Sequence, residues 1–434
     1  MNYLRLALEE SILSIGISRP NPAVGAVVVK DGIVVGKGRT QRPGSAHAEV
    51  MALRDAGELA RGATIYVTLE PCCHYGRTPP CTKAIIDAGI AKVFFAHADP
   101  NPVVRGNSRK ILEEAGVEVY EGVDACIRAE IDDGWDDNEG ECHCLSASHA
   151  ENGSHPQSVT SKEKDSAGRE VFHDIERYFE AYDYFVCNNR TFVEVKSAVS
   201  DEGSMGYVMP DGSHKPMKIT GAGANCWSHE LRAISDAILV GAGTVLADNP
   251  SLNVRNVVGN DPVRIVWAGH HQFTAEEIKK MKVFSPCNAE PDSSSAVPAV
   301  FALVFSCVSQ PAIPSAVILT KSGFADCWNE MLEHLSALGM HRLMVEPGAG
   351  LALQLFASRQ SSGDVSKHSE PVEPLWNRWN LWRSTDRMID DALASFIDEG
   401  VASASLDFPS IPETLVAKES FMVGPDVLTV FYPA

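Results

Sequence analysis

His47-Ala48-Glu49 is followed along the chain by Pro71-Cys72 and then by Cys81. One imidazole and two thiolates suit a tetrahedral zinc ion and leave a fourth position for water, as catalytic rather than structural sites do. Zinc so held lowers the pKa of that water toward neutrality. Glu49 lies two residues from His47, where it can take a proton from the water and return it to a leaving group. Both thiols fall at or just before a predicted helix start, where backbone N–H groups and the helix dipole favour negative charge. A His-x-Glu alone is common, and Cys72, Cys73 and Cys81 could be buried thiols. The order strand, Pro-Cys, loop, helix favours the metal reading, with Cys72 rather than Cys73 as ligand because it follows Pro71 directly.

This set matches hydrolytic deamination, in which activated water attacks an amidine-type ring carbon and ammonia leaves. The general signature is H-x-E followed by P-C-x-x-C. Here eight residues separate Cys72 from Cys81, and a longer loop can still bring both thiolates to one metal. Two rivals stand beside it. A deaminase acting on nucleic-acid bases uses the same metal motif. However, 57 acidic residues against 37 basic ones give a net charge of −20, and no basic, aromatic-lined stripe is present. A scaffold with structural zinc has no use for a proton shuttle such as Glu49.

The elements that must position these residues are legible over 1–125. Leu4, Leu8, Ile12 and Ile15 share a helical face. Val24–Val29, the Asp31-Gly32 turn and Ile33–Gly36 read as a hairpin. A helix is predicted from His47 to near Gly57, a buried strand at Ile65–Leu69, and a helix over Thr82–Ala88. Val93–Ala96 reads as a strand, Ser108–Ala115 as a helix stopped by Gly116, and Val117–Tyr120 as a strand. Strands alternating with helices predict an α/β/α layer.

Beyond that, residues 132–170 carry ten acidic and three basic residues with few aliphatics. The segment 126–178 therefore reads as an acidic, largely disordered linker or insertion, and Cys142-His143-Cys144 within it as a solvated loop. A second α/β domain is expected over 179–434. Its strands are predicted at Thr191–Val195, Ala237–Val240, Val263–Trp267, Arg342–Val345 and Leu428–Tyr432, with a helix at Ser228–Ile234. Insertions are expected near 270–312 and 358–385. Trp376, Trp379 and Trp382 suggest an aromatic helical stripe serving a core or interface.

Apolar residues make up 44% of the 434, enough for two or three cores. No apolar run is long enough for a membrane span, and no signal or transit peptide is recognisable at the N-terminus. Eleven cysteines without a repeating framework predict free or metal-bound thiols in the cytoplasm or another reducing compartment.

Motifs from Pro20 to Pro102 carry a family resemblance. Pro20-Asn21-Pro22-Ala23-Val24-Gly25 precedes His47-Ala48-Glu49. Thr68-Leu69-Glu70-Pro71-Cys72-Cys73-His74-Tyr75-Gly76-Arg77-Thr78-Pro79-Pro80-Cys81 and Asp99-Pro100-Asn101-Pro102 follow. This set resembles the deaminase half of the bifunctional riboflavin-biosynthesis deaminase–reductases, whose long loop between the two cysteines is the family's own. The resemblance implies a cytidine-deaminase-like domain over 1–125. The implied substrate is 2,5-diamino-6-ribosylamino-4(3H)-pyrimidinone 5′-phosphate, deaminated to a uracil, and the implied cofactor is Zn2+. It nominates Asn21, His74, Arg77 and Asn101 as substrate-binding, and a guanidinium at Arg77 suits a phosphate. It also implies a homo-oligomer.

Residues 182–255 resemble the reductase half of the same family, which implies a dihydrofolate-reductase-like fold and NADPH. His229-Glu230-Leu231-Arg232-Ala233, then Asp236 through Thr244, then Asp248-Asn249-Pro250-Ser251-Leu252-Asn253-Val254-Arg255 carry it. By resemblance Thr244, Asp248 and Gly348 face the cofactor, while Leu252, Arg255 and Glu346 face the substrate. Other positions depart from the pattern. K-x-A-x-S-L-D-G appears as Lys196 to Gly203 with Asp201 and Glu202 in place of Leu and Asp. S-x-W-I-T appears as Pro216-Met217-Lys218-Ile219-Thr220, A-R as Ala224-Asn225, and E-G-G as Glu346-Pro347-Gly348. Each lost charge-assisted hydrogen bond removes about 1.5–3 kcal/mol, and Pro347 lacks an N–H. The expectation is a zinc-dependent deaminase fused to a weak or inactive reductase. Two readings oppose it: a fully bifunctional enzyme, with residues such as Lys218 compensating, and, further off, a nucleic-acid base deaminase.

Overall fold

The computed structural model describes residues 2–129, 161–200, 204–208, 214–216, 219–285, 302–357, 375–384, 405–407, 415–423 and 426–433. The chain divides into two units. The first is Met1–Arg190 with Val257–Asn260 and Leu338–His341; the second holds the rest.

In the first unit, α1 (Tyr3–Ile12) starts at Asn2, whose side chain accepts from Leu4 N at 2.9 Å. Strands β1 (Gly25–Lys30) and β2 (Ile33–Arg39) form the hairpin. Its turn needs two left-handed residues, supplied by Asp31 (φ 50°) and Gly32 (φ 78°). Then follow α2 (Ala48–Ala56), β3 (Thr64–Leu69), α3 (Cys81–Ala88), β4 (Lys92–His97), α4 (Asn107–Glu114), β5 (Glu118–Glu121), α5 (Gly122–Arg128) and α6 (Ser161–Asn188). The sheet order is β2-β1-β3-β4-β5. β1 is antiparallel to β2 and β3, while β3, β4 and β5 run parallel. The helices form two groups, α2–α3–α4 and α1–α6–α5, the two outer layers of an α/β/α unit. Ile15, expected on the first helix, lies one turn past its end.

The second unit contains β6 (Phe192–Ser200), β7 (Ser204–Val208), β8 (His214–Pro216), α7 (Ala222–Ala233), β9 (Ala237–Gly241) and α8 (Ala242–Asp248). Next come β10 (Val263–Gly269), α9 (Ala275–Lys280), β11 (Leu303–Ser306), β12 (Val317–Ile318), α10 (Phe324–Ala337), β13 (Arg342–Val345) and α11 (Ala349–Ala357). Strands β14 (Arg378–Ser384), β15 (Ser405–Asp407), β16 (Leu415–Val423) and β17 (Asp426–Pro433) close the chain. The large sheet runs β12-β11-β10-β9-β13-β6-β14-β17-β16, parallel as far as β14 and antiparallel thereafter. A separate three-stranded sheet runs β15-β7-β8. At the centre of the large sheet Glu194 is fully buried. It accepts from Arg342, from Arg378 at 3.3 Å and from Asn380 at 2.8 Å, so three strands are tied by one carboxylate.

The structure corrects several expectations. Within the segment read as an acidic linker over 126–178, residues from 161 onward are helical, and the first unit extends to Arg190. Val171, Ile175, Tyr178 and Phe179 are buried along one face of α6, and burying that stripe outweighs the acidic composition around it. Gly168 makes the close approach to α5 possible, because a Cβ there would lie 2.5 Å from Ile127 Cα. The tryptophan stripe is not helical. Trp379 and Trp382 lie on β14, fully buried, because a strand inside a sheet covered on both faces is apolar on both. Strands β11 and β14 also place parts of the expected insertions 270–312 and 358–385 inside the large sheet. Cys142-His143-Cys144, Asp201-Glu202-Gly203, Met217 and Lys218 lie outside the described residues.

Candidate active site

α2 is held close to the hairpin by Gly36 and Gly38. A Cβ on Gly38 would lie 2.3 Å from Ala48 O, so only glycine lets the first turn of the helix sit there. That turn presents His47 as the N-cap and Glu49 on its buried side, 4% exposed. Cys72 follows β3, and Cys81 opens α3. The Cys81 backbone N–H donates to Cys72 Sγ at 3.3 Å, an amide at a helix start supporting a thiolate.

The three expected ligands converge. His47 Nδ1 is 3.5 Å from Cys72 Sγ and 3.3 Å from Cys81 Sγ, and the two sulfurs are 3.4 Å apart. Among the described residues they form a group able to hold a metal. A tetrahedral zinc with ordinary Zn–S and Zn–N bonds places its ligand atoms about 3.5–3.8 Å apart. The triad therefore fits zinc once its ligand atoms spread by a few tenths of an ångström. Cys73 instead points its sulfur at Val103 O, 3.6 Å away.

The titrating groups respond to this crowding. Hydrogen bonding from Cys81 drives the Cys72 thiol down to about 4, and the same shared proton raises Cys81. The Cys72 hydrogen bond pushes His47 up to about 9, against burial. Burial pushes the Glu49 carboxyl up to about 7, with the neighbouring Cys72 charge acting in the same direction.

A cavity of about 210 Å³ opens beside His47 and Cys72. Asn21, His74 and Asn101 line it, together with His47, Glu49 and Cys72. Arg77 is exposed on the loop between the cysteines and is not brought into the lining. Asp99 and Tyr182 are among the lining residues to which the sequence assigns no role. Asp99 stands within Asp99-Pro100-Asn101-Pro102, where the motif itself could have nominated it. Burial raises its carboxyl to about 6. Tyr182 comes from α6, far beyond the motifs, and no sequence signal tied it to the pocket.

The second unit assembles its own group. Glu346, just after β13, takes Arg232 Nη2 on both carboxylate oxygens at 3.0 Å. Burial would raise Glu346, but Arg232 and Lys196 outweigh it and hold it below the usual carboxylate range. Burial holds Lys196 below the usual lysine range. Asp248, at the end of α8, is raised by burial. A Cβ at Gly348 would meet Thr244 Oγ1 at 2.7 Å, so these two expected cofactor positions are neighbours, while Gly243 and Gly350 border open space. Leu252 is buried in the apolar core at φ 54°. Arg255 is exposed, its Nη1 donating to Asn253 Oδ1 at 2.6 Å and its N–H to His229 Nδ1 at 3.1 Å. Arg232 and Lys196 are the residues here that the sequence motifs contained but did not nominate.

Comparison with known proteins follows the same division. Residues 1–97 match the cytidine and deoxycytidylate deaminase zinc-binding region, and residues 192–360 match the RibD C-terminal domain. Riboflavin biosynthesis protein RibD of Haemophilus influenzae is 31% identical over 368 residues, covering 82% of each chain. That of Aquifex aeolicus is 38% identical over 266 residues, spanning 61% of this chain and 60% of its own length. A solved structure from Thermotoga maritima is described as a diaminohydroxyphosphoribosylaminopyrimidine deaminase/5-amino-6-(5-phosphoribosylamino)uracil reductase. It is 25% identical and covers 100% of this chain and 98% of its own, at a TM-score of 0.61.

Proposed function

The chain belongs to the RibD family of riboflavin-biosynthesis deaminase–reductases, and from that premise we propose that its first unit is a zinc-dependent hydrolytic deaminase. The substrate class is a diamino-pyrimidinone ribosyl phosphate, the product the corresponding 5-amino-uracil. One observation carries the reading: His47, Cys72 and Cys81 meet at zinc-ligand spacing, with the buried carboxyl of Glu49 lining the same cavity. Zinc held by these three side chains would supply a water acidified toward neutral pH. Glu49 accepts the proton of the attacking water and delivers it to the departing ring amine. Asn21, His74, Asn101 and Asp99 surround the pocket with hydrogen-bonding groups that orient the ring and its substituents. Arg77, on its exposed loop, is assigned to the phosphate end of the substrate.

For the second unit we propose weak or absent reductase activity. Thr244, Asp248 and Gly348 would hold NADPH, which supplies hydride. Asn225 stands where the family pattern has Arg, and Pro347 offers no backbone donor beside Glu346. The assembled Arg232–Glu346 pair beside Lys196 favours the opposite reading, a fully bifunctional enzyme. Free thiols at eight described cysteines accord with a reducing compartment, and among the described residues no helix is long and apolar enough to cross a membrane.

The deciding experiment supplies purified protein with the diamino-pyrimidinone ribosyl phosphate, with and without NADPH, and follows ammonia and NADPH separately. Ammonia release without NADPH oxidation is the expected result. Stoichiometric NADPH oxidation would establish the bifunctional enzyme, and no ammonia at all would remove the deaminase assignment.

A further inference from the structure

Of the residues lining the deaminase pocket, Tyr182 alone comes from α6; the others lie between Asn21 and Val104. The same stretch of α6 is tied to the end of β4 by a compact polar clamp. His97, the last residue of β4 and 6% exposed, points Nδ1 at Glu176 Oε1 (2.5 Å) and Nε2 at both oxygens of Asp183 (2.9 Å each). Glu176 and Asp183 are seven residues apart, two helical turns on one face, so one ring spans the face that leads to Tyr182. The His97 ring also stacks on Phe179 at 5.0 Å between centroids, 11° from parallel. One turn back, Tyr178 Oη donates to Ala23 O at 3.0 Å, beside the pocket residues Pro22 and Val24.

We propose that Tyr182 is a substrate-contacting, specificity-determining wall of the deaminase pocket, and that His97 is the positioning residue that holds it there through Glu176 and Asp183. The proposal rests on the deaminase reading and adds a residue and a device to it. The chemistry is that of a flat aromatic ring in a pocket otherwise rich in polar groups, which offers a planar heteroaromatic substrate a stacking face. The groups facing His97 are Glu176 and Asp183 on α6, with Asp99 on the β4 exit loop and Cys126 of α5 beyond them. An imidazolium is the form that donates to both carboxylates at once. A neutral amide in its place cannot bridge two acceptors on opposite sides.

Steady-state kinetics of ammonia release from the same ribosyl phosphate test this in the full chain. Tyr182→Ala is expected to raise KM about tenfold or more with kcat within about twofold, and Tyr182→Phe to stay near the parent. His97→Gln is expected to raise KM in the same direction. In the double variant the two effects should fail to add, since both act through one side chain. A helix that merely covers the core would give lower thermal stability and a smaller active fraction, hence lower apparent kcat at unchanged KM. If His97→Gln does not fold, Asp183→Asn, at the half-buried helix side of the clamp, takes its place. KM unchanged in Tyr182→Ala while the parent releases ammonia overturns the inference and leaves the deaminase assignment intact. A parent protein that releases no ammonia overturns both.

Discussion

Glu49 is a carboxyl buried beside three candidate metal ligands, a placement whose desolvation costs stability and which therefore points to a role in the site. Substituting Glu49→Gln keeps shape and hydrogen bonding but removes the proton acceptor. Turnover should fall about 10²- to 10⁴-fold while bound zinc, measured by elemental analysis, stays near one per chain. Retained turnover would remove Glu49 from the proton path. Cys72→Ser should lose the metal and Cys73→Ser should keep it, because the sulfur of Cys73 points at Val103 O instead. His47, Glu49, Cys72 and Cys81 were legible from sequence because their chemistry is tied to their type, and because zinc tolerates few alternatives to imidazole and thiolate. Asp99 was within reach of the same reading, since it opens the Asp99-Pro100-Asn101-Pro102 motif; Tyr182 was not. A tyrosine on a helix has many other uses, and only the folded chain brings it to the cavity.

Elements explain where the reading succeeded and where it failed. The hairpin, α2 and β3 were legible because their signals are local: a turn needing positive φ, a helix bounded by His47 and Gly57, a short apolar run. Helix α6 was hidden because its apolar stripe follows an acidic, Ser-rich stretch, and β14 because tryptophans three apart imitate a helical period. Packing at α2 yields a prediction of its own. Gly38→Ala would drive a Cβ to 2.3 Å from Ala48 O, so the first turn of α2 must move. The expected cost is about 1–3 kcal/mol in denaturant unfolding, accompanied by lost zinc, since His47 starts that turn. The clamp on α6 yields another. Burial works against charge on His97, but its hydrogen bonds to Asp183 and Glu176 win and push it up to about 9. A folded pKa above the unfolded value of about 6.5 stabilises fully below about pH 6.5 and is lost as pH rises through 9. Unfolding midpoints should therefore fall between pH 7 and pH 10 more steeply in the parent than in His97→Gln. Parallel curves would show that His97 carries no proton the unfolded chain lacks.

At the scale of the whole molecule the two units differ in how completely they match the chemistry their family performs. On the proposed reading the first carries a ligand and proton-transfer set in His47, Cys72, Cys81 and Glu49, and the second keeps Lys196, Arg232, Glu346, Thr244 and Asp248 but holds a proline at the turn beside them. Pro347 is buried and follows Glu346, whose own backbone N–H is spent on Leu239 O at 2.9 Å. The residue at 347 would thus present the next free donor on that turn, and proline has none. If that single missing donor limits the second unit, Pro347→Gly should raise NADPH oxidation on the deaminated substrate several-fold, at a loss of about 1 kcal/mol in stability from the looser unfolded chain. Ammonia release should not change, because no residue of that turn lines the deaminase cavity. A variant that oxidises NADPH no faster than the parent would put the limit elsewhere. Asn225 then becomes the next position to restore, with Asn225→Arg scored by the same two readouts. If the parent already oxidises NADPH in step with ammonia release, the charged group around Glu346 suffices without the donor, and the departures from the family pattern are tolerated substitutions rather than losses.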